Sequence, residues 1–369
     1  MREAEHLQNQ SITFAPGLPG SATRDLPPPV FLMNELSRLM VIRSIFWATK
    51  YRIAEMVADG PKTVNELAEG VEADPKSLYR LLRALASIGI FQEEPNNEYT
   101  TDPTQARFSQ SPTSAFLLPD TPGSMYPMVM MWQSSFQWES WADIEYSLKT
   151  GKPALEKRYG MNIFAFLAKN PIEQRFFDQA MTAMSEAINS SIADAYATEF
   201  AGIGTLVDVG GGYGSFLQTV LNAHEHMQGI LFDQPAVMEE VSSSPIARHP
   251  RIRLEHGDFF VSVARGGDAY FLKQIVMDWS DEECLTILRN CRDAMRPDGR
   301  VLVVEQVLHP GVGQDTFGKF LDLQMLVVLH GGNRTEHEYR ELFSKAGLAI
   351  ARIIPTSSVY SIVEGVRAG

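Results

Sequence analysis

The second half of the chain alternates between two hydrophobic patterns. Short apolar runs, which predict buried strands, alternate with longer stretches whose apolar residues recur at helical spacing. The last two runs are separated only by a short loop, which predicts an antiparallel pair. The alternation indicates an α/β fold with an open, mostly parallel sheet, whose ligands bind at the carboxyl ends of the strands. The predicted strands cover residues 205–209, 228–232, 252–256, 269–275, 300–307, 351–354 and 360–366.

The first third of the chain has a different, mostly helical pattern. Residues 31–47 are apolar on more than one face, which predicts a buried helix and, so close to a terminus, a subunit interface. Thr63 and Glu66 form a capping box at the start of the next helix, and Asp74 caps a further helix that ends at Gly89. A hairpin is predicted over 91–101. Two helices followed by a hairpin predict a winged helix.

A winged helix has two functional interpretations, DNA binding or a dimerisation or lid module. The chain carries 32 basic and 45 acidic residues, a net charge of −13. An acidic chain repels phosphate backbones, so the charge favours dimerisation and no nucleic-acid partner. No apolar run approaches the roughly 20 residues of a membrane span, so no membrane association is expected either.

The length of 369 residues allows at least two domains. Residues 109–200 form a predicted helical connector rich in Met and aromatic side chains, which can line an adaptable apolar pocket. The predicted organisation is a flexible N-terminal arm over 1–30, the winged helix over 31–108, the connector over 109–200 and the Rossmann-like sheet domain over 201–369.

The cysteines and histidines exclude two kinds of site. Cys284 and Cys291 lie seven residues apart on one predicted helix, roughly 10 Å along its axis, which is too far for a disulfide. Buried free thiols indicate a reducing, cytoplasmic compartment. His224 and His226 are expected to face solvent without partner ligands, so no metal site is predicted.

The predicted strand at 205–209 ends in a glycine-rich motif, L-V-D-V-G-G-G-Y-G at 206–214. Glycines between a strand and a helix let the backbone approach a ligand closely and offer free N–H groups. The third glycine of a dinucleotide fingerprint would fall on Ser215, so the motif does not fit that class. The form D-x-G-x-G-x-G is typical of S-adenosylmethionine (SAM) sites. By itself, it leaves a nucleotide-type cofactor and a merely glycine-rich turn as alternatives.

The next two predicted strands also end in acids. Asp233 follows the glycines by about 20 residues, where an acid can bind both hydroxyls of a ribose; the alternative is that Asp233 opens the turn at Gln234 and Pro235. Asp258 and Phe259 end the third strand, where an acid and an aromatic ring could bind an adenine.

Six motifs in order give the chain a resemblance to one family. The chain resembles the small-molecule O-methyltransferases, which include plant caffeic-acid and isoflavone enzymes and bacterial or fungal secondary-metabolite relatives. Beyond the glycine motif, the matching motifs are F-D-x-P at 232–235, G-D-F-F at 257–260, L-K-x-x-x-x-D-W-x-D-E at 272–282, V-x-E-x-V-L at 303–308 and G-G-x-R-T-E at 331–336.

The resemblance implies a homodimer formed through the N-terminal domain, a small-molecule substrate, and SAM as methyl donor with S-adenosylhomocysteine (SAH) as product. It implies that Lys273 binds the cofactor's carboxylate, Trp279 lies near the adenine and Met181 near the methyl group. The cofactor-binding residues would be Gly210, Gly211, Gly212, Asp233, Gln234, Asp258, Phe259, Lys273 and Trp279. The apolar substrate pocket would draw on Met131, Trp132, Phe177, Met181, Met184, Met277, Met325, Leu329 and Asn333.

The chain departs from the family pattern at the catalytic base. The typical member has a His before Asp-Trp, and this chain has Met277, which cannot accept a proton. Glu305 matches one of the two acids that orient the His, but the loop at 331–335 is shorter and carries no acid. The candidate catalytic residues are therefore Glu305 and Asp278, with Met277 at the position of the base.

Several hypotheses follow from Met277. Asp278 or Glu305 through water could replace the His, or the acceptor hydroxyl could enter already ionised. Proximity alone could drive transfer to a nitrogen or carbon nucleophile. SAM could remain a bound cation in a pericyclase, hydroxylase or decarboxylase that transfers no methyl, or the chain could be an inactive partner subunit. His256 and His330 are either displaced bases or ordinary polar residues.

The sequence therefore predicts a SAM-dependent methyltransferase of a small, apolar, aromatic or polyketide-like secondary metabolite, with O-methylation favoured. The alternative enzyme binds SAM without transferring its methyl group. A binding or DNA-regulatory protein is the alternative outside the enzymes.

Overall fold

The computed structural model describes residues 27–95, 102–311 and 315–369. Contacts between Cα atoms divide the chain into two units. The larger unit contains Ser140–Ile163 and Met184–Gly369, and the smaller contains residues 27–139 and Phe164–Ala183. Residues 1–26 of the predicted arm and 96–101 of the predicted hairpin lie outside the described residues.

The first 200 residues are mainly helical, as predicted. Three short strands accompany the helices, and all three lie in the smaller unit. In chain order the elements are α1 (Pro28–Lys50), α2 (Ile53–Met56), β1 (Lys62–Thr63), α3 (Val64–Gly70), α4 (Pro75–Ala86), β2 (Phe91–Glu93), β3 (Arg107–Gln110), α5 (Tyr126–Trp132), α6 (Ser135–Ala142), α7 (Ile144–Thr150), α8 (Ala154–Tyr159), α9 (Ile163–Lys169), α10 (Pro171–Ala195) and α11 (Ala197–Phe200).

The predicted winged helix is present in the smaller unit. Thr63 and Glu66 form the expected capping box of α3, and the side chain of Asp74 caps α4. Strand β2 starts at the first residue of the predicted hairpin and pairs with β3, whereas residues 96–101 of that prediction lie outside the described residues. Phe108 of β3 is fully buried, so the second strand of the hairpin is fixed by its contribution to the core.

Within one chain helix α1 is mostly exposed, which leaves its apolar side chains for the subunit interface that the sequence predicts. Leu32, Met33, Leu36 and Met40 expose between 59% and 67% of their surface. Only Phe46, Ala48 and Thr49 of this helix are buried. A run of exposed apolar side chains of this size marks a surface for another protein chain.

The larger unit continues with alternating strands and helices. In chain order these are β4 (Thr205–Val209), α12 (Ser215–Ala223), β5 (Gln228–Asp233), α13 (Pro235–Ser242), β6 (Ile252–His256), β7 (Ala269–Lys273), α14 (Asp281–Ala294), β8 (Arg300–Glu305), β9 (Val307–Leu308), α15 (Thr316–Val328), β10 (Arg334–Thr335), α16 (Glu336–Lys345), β11 (Leu348–Pro355) and β12 (Ser361–Arg367).

Seven of these strands form one sheet in the order β11-β12-β8-β7-β4-β5-β6. Strands β4 to β8 are parallel, whereas β12 runs antiparallel to both β8 and β11. The predicted α/β class and the antiparallel final pair are therefore confirmed. Strand β7 ends two residues earlier than predicted, because Gln274 adopts a φ of 57° and the chain turns.

Apolar clusters cover both faces of this sheet. On one face Phe216 of α12 stacks on Phe271 of β7, with ring centroids 3.9 Å apart. On the other face α14 contributes Cys284 and Cys291, which are free and buried, as predicted. Burial on both faces is the arrangement expected of parallel strands, whose carboxyl ends remain the accessible edge. No helix among the described residues is long and apolar enough to cross a membrane.

Candidate active site

The turn after β4 can be built only from glycine at several positions. Gly210 and Gly212 have φ values of 70° and 55°, in the left-handed region that favours glycine. At Gly211 a Cβ atom would lie 2.5 Å from Leu231 and 2.6 Å from the carboxyl carbon of Asp208. The turn therefore lies directly on Asp208 and on strand β5.

Gly214 explains why the motif differs from the dinucleotide fingerprint. It is the N-cap residue of α12 with a φ of 73°, and a Cβ atom there would lie 2.9 Å from Leu231 and overlap Ile246. The glycine that allows close packing of helix on strand is thus residue 214. Ser215, at the position of the third fingerprint glycine, instead accepts a hydrogen bond from Asn189.

Asp233 joins β5 to the glycine turn. One carboxylate oxygen accepts a hydrogen bond from the N–H of Gly212 at 2.8 Å, and the other accepts from the N–H of Gln234 at 2.7 Å. The hydrogen bond from Gln234 shows that Asp233 opens the turn, which was the alternative to ribose binding. Each oxygen keeps a lone pair for a ligand hydroxyl, so the two roles are compatible. Burial raises the pKa of Asp233.

Aromatic rings border the same turn. The ring of Phe259 lies 3.8 Å from the Cβ position of Gly210 and 5.9 Å, between centroids, from the ring of Trp279. Asp258 is exposed beside them and accepts a hydrogen bond from the N–H of Phe260. The structure thus brings Phe259 and Trp279 together at the glycine turn.

Lys273 connects the end of β7 to helix α10. Its ammonium group donates to the hydroxyl of Ser185 and, at 2.6 Å, to the side-chain oxygen of Asn189. The sequence analysis missed Ser185 and Asn189, although polar residues four positions apart on one helix face are a detectable signal.

Asp208 and Lys273 form a buried pair of opposite charges. Burial raises the pKa of Asp208 and lowers the pKa of Lys273, and each charge offsets part of the other's shift. One carboxylate oxygen of Asp208 has no hydrogen-bond partner among the described residues. A buried acid in this state provides a place for a ligand's cationic or N–H group.

Met277 and Asp278 lie in the single 3₁₀ turn that follows β7, where the sequence analysis expects the family's base. The backbone N–H of Met277 donates to Glu305 at 3.2 Å, and the second carboxylate oxygen of Glu305 has no partner among the residues that the structure describes. Burial and the neighbouring Asp278 raise the pKa of Glu305 to about 8. Burial also raises the pKa of Asp278 to about 7.

The shortened loop lies against this turn. A Cβ atom at Gly331 would overlap the carbonyl oxygen of Met277, so the loop and the turn touch backbone to backbone. Asn333 is buried and donates its N–H to Asp322 at 2.9 Å and its side-chain amide to Gly318. Asp322 of α15, which the sequence analysis did not single out, is thus the acid that contacts the loop.

The two alternative histidines are both exposed. The ring of His330 is exposed, with Nε2 lying 2.9 Å from Glu156 of α8, and His256 is exposed at the end of β6. One ring nitrogen of His330 is therefore directed toward Glu156.

The predicted pocket residues are divided between the units. In the larger unit, the sulfur of Met184 lies 3.9 Å from the hydroxyl of Tyr360, a buried residue that the sequence analysis missed. Met131 of the smaller unit and Met325 and Asn333 of the larger are buried, and the half-buried residues are Trp132, Phe177, Met181, Met184 and Leu329.

Comparison with known proteins decides the family. The family model of the O-methyltransferase domain matches residues 141–349, and that of the O-methyltransferase dimerisation domain matches residues 33–120. This chain belongs to the O-methyltransferase family. The dimerisation-domain match supports the predicted homodimer.

Two relatives cover almost the whole methyltransferase. Phenazine O-methyltransferase PhzM of Lysobacter antibioticus is 38% identical over 92% of this chain and 96% of its own length. Mitomycin biosynthesis 6-O-methyltransferase of Streptomyces lavendulae is 31% identical over 94% of this chain and 96% of its own length.

Solved structures agree. The crystal structure of LaPhzM matches with a TM-score of 0.83 at 38% identity, covering 93% of this chain and 100% of that one. CalO1, a methyltransferase in calicheamicin biosynthesis solved in its SAH-bound form, matches with a TM-score of 0.77 at 31% identity, covering 93% and 100%. The protein is therefore a SAM-dependent methyltransferase, and the comparisons do not support the non-transferring alternative.

The residues of this methyltransferase fit SAM. The ligand carries ribose hydroxyls, a purine, an ammonium group and a carboxylate. Asp233 offers acceptors for hydroxyls, the rings of Phe259 and Trp279 offer apolar surface, and the unpartnered oxygen of Asp208 offers an acceptor for a cation. Lys273 offers the positive charge that a carboxylate requires.

Proposed function

We propose that this enzyme methylates a hydroxyl oxygen of a small aromatic or polyketide-like secondary metabolite, with Asp278 accepting the proton. The names of the two relatives, which specify O-methylation of phenazine and O-methylation in mitomycin biosynthesis, support this acceptor class. The Met-rich and aromatic character of the predicted pocket residues supports an apolar acceptor.

The observation that carries the proposal is the buried carboxylate of Asp278 and its raised pKa. No donor among the described residues forms a hydrogen bond with its carboxylate, so the group is free to take up a proton. Its pKa of about 7 suits a general base, which works best when its pKa lies near the operating pH. Met277, its neighbour in the turn, cannot take this role.

The carboxyl groups of Asp278 and Glu305 have different roles in the proton transfer. SAM supplies an electrophilic methyl group and leaves as SAH. Asp278 takes the hydroxyl proton as the acceptor oxygen forms its bond to the methyl carbon. Glu305, whose pKa is raised further than that of Asp278, keeps its own proton and so avoids a second negative charge beside the base.

The remaining site assignments belong to the same proposal. Gly210–Gly212, Asp233, Gln234, Asp258, Phe259 and Trp279 bind the nucleoside part of SAM, and Lys273 binds its carboxylate. Met131, Trp132, Phe177, Met181, Met184, Met325, Leu329 and Asn333 line the acceptor pocket, as Met277 does.

We also propose the domain boundaries 1–30, 31–108, 109–200 and 201–369, with a homodimer formed through the exposed face of α1. The free, buried thiols of Cys284 and Cys291 support a cytoplasmic location. The net charge of −13 supports the absence of nucleic acid and of anionic membrane surfaces among the partners.

The test is methyl transfer from labelled SAM to phenols of graded acidity. The wild type should methylate phenols, and Asp278→Asn should lose roughly 100-fold with phenols whose pKa is near 10. Acidic phenols, which are already ionised, should lose much less. Met277→His should raise the rate for weakly acidic phenols by restoring a base.

Asp293→Asn, at an exposed acid of α14, is the matched control and should leave all rates unchanged. Equal rates for Asp278→Asn and the wild type would place the base elsewhere. If SAM binds but neither the wild type nor Met277→His methylates any phenol, the proposed acceptor class is wrong.

A further inference from the structure

Arg334 is a buried cation directly behind the proposed base. It lies in the short strand β10 and exposes 7% of its surface. Its guanidinium donates to the carbonyl oxygen of Val276 at 3.0 Å and to that of Trp279 at 3.1 Å. These two carbonyls flank Met277 and Asp278, so one side chain holds both ends of the turn.

The same guanidinium holds the elements on either side. It donates to the carbonyl of Gly332 in the shortened loop at 3.2 Å, and to the carboxylate of Asp281 in α14 at 3.0 and 2.8 Å. The planar, multidentate geometry of arginine makes this possible, and lysine has no equivalent fork. Loop, turn and helix start are thus tied to one group.

The backbone of Arg334 is itself fixed. Its strand pairs with β9, in which Val307 is its partner, and β9 begins two residues after Glu305. Thr335 and Glu338 form a capping box immediately after it. The guanidinium therefore fixes the position of the turn relative to β8, the strand that carries Glu305.

Arg334 also acts on Glu305 by its charge. The pKa of Glu305 is raised by burial and by Asp278, and the positive charge of Arg334 opposes that rise. The charge of Glu305 is thus partly balanced by a cation that binds the turn, whereas the loop contributes no acid of its own.

We propose that Arg334 is a positioning residue for methyl transfer, holding the turn of Met277 and Asp278 against the shortened loop so that Asp278 meets the acceptor hydroxyl. This inference rests on the proposed role of Asp278. A displacement of about 1 Å at a reacting group can cost on the order of 100-fold in rate, so the effect of a loosened turn is measurable.

Two substitutions of Arg334 separate the effect of its multidentate hydrogen bonding, the fork, from the effect of its positive charge. Arg334→Lys keeps the charge and loses the fork, so kcat/KM for a phenol should fall roughly tenfold with an unmoved pH midpoint. Arg334→Gln loses both, so its pH profile should also change, because the cation that favours the ionised form of Glu305, the neighbour of Asp278, is gone. Arg340→Lys, at an exposed arginine of α16, is the matched control.

Thermal melts and SAM titrations accompany each variant. A purely structural role would lower the melting temperature without changing kcat or the pH midpoint, and this result would overturn the inference. If Arg334→Gln does not fold, the kcat of Arg334→Lys decides alone. Wild-type kcat in Arg334→Lys beside a large loss in Asp278→Asn overturns the inference and leaves the proposed function standing. Wild-type activity in Asp278→Asn overturns both.

Discussion

The two ends of the candidate site are built by different means. At the nucleoside end, the glycine turn, Asp233 and the rings of Phe259 and Trp279 are held by backbone geometry and short-range contacts. At the proton-transfer end, the turn of Met277 and Asp278 is held by side chains that arrive from distant parts of the chain. The first end carries the motifs on which the resemblance rests, whereas the second has Met277 where the sequence analysis expects a His, beside a loop without an acid.

The two ends also differ in the charges of their buried ionisable pairs. Asp208 and Lys273 are opposite charges, so each helps the other to remain ionised in spite of burial. Asp278 and Glu305 are like charges, so burial and repulsion both favour a proton on the pair. The nucleoside end thus holds fixed charge for a ligand, and the proton-transfer end is suited to gaining and losing a proton.

The largest effect is expected at the nucleoside end. A Cβ atom at Gly211 would lie 2.5 Å from Leu231 and 2.6 Å from Asp208, so Gly211→Ala must displace the turn. A shift of this kind should weaken SAM binding on the order of 100-fold, measured by calorimetric titration.

The matched control is Gly202→Ala, before the same strand, where an added Cβ would meet only the carbonyl of Glu199 at 3.6 Å. It should bind SAM as the wild type does. Unchanged affinity in Gly211→Ala would mean that the glycine turn does not contact the cofactor, and the contrast between the two ends would disappear.

The next effect is the pH dependence of the proton-transfer end. Asp278 must be ionised to accept a proton, and burial raises its pKa to about 7. For a phenol with a pKa near 10, kcat/KM should therefore fall roughly tenfold per pH unit below an apparent midpoint near 7. Rates measured from pH 5.5 to 9 test this. A rate that keeps rising tenfold per pH unit up to pH 9, without levelling off above 7, would indicate ionisation of the acceptor itself.

The same shift predicts opposite effects of Asp278→Asn on rate and on stability. A carboxyl whose pKa is raised in the folded state binds its proton more tightly there, so stability falls as the pH rises from about 4 to above 7. Asparagine has no such dependence. Denaturant unfolding should show the variant gaining stability over the wild type between pH 4 and 8, while its activity falls.

A smaller effect is expected where the loop touches the turn. Alanine at Gly331 would bring a Cβ atom against the carbonyl oxygen of Met277 and within 2.6 Å of the carbonyl carbon of Asp278. The loop must move away, and kcat should fall about tenfold while SAM affinity stays within a few-fold of wild type. Gly202→Ala again serves as the control. Equal losses in kcat and SAM affinity would show that the two ends move as one.

Sequence patterns predicted most of the fold because its determinants are local. Strands β4, β5 and β6 lie within one residue of their predicted bounds, since buried parallel strands are continuous apolar runs. For helix α1 the sequence predicted burial with a subunit interface, and within one chain most of its apolar residues are exposed, because periodicity shows that a face is apolar but does not show what covers it.

The nucleoside end was also largely predictable, because its residues follow strand ends in order. Ser185, Asn189 and Arg334 were missed because their roles depend on side chains meeting across 88, 84 and 58 positions of sequence. No local motif records such contacts. The role of Arg334, although it lies within a matched motif, becomes visible only when its donors are traced to Val276 and Trp279.

The smallest effect is expected from a conservative substitution of Met277, Met277→Leu. Met277 is 4% exposed, and its contact with Glu305 by hydrogen bond is made by the backbone N–H. Met277→Leu keeps that N–H and nearly the same volume, a kind of exchange that usually costs less than about 1.5 kcal/mol. Activity should stay within about 3-fold of wild type with any acceptor. A much larger loss would mean that the thioether itself contacts the acceptor, and Met277 would then be a specificity residue rather than apolar packing beside Asp278.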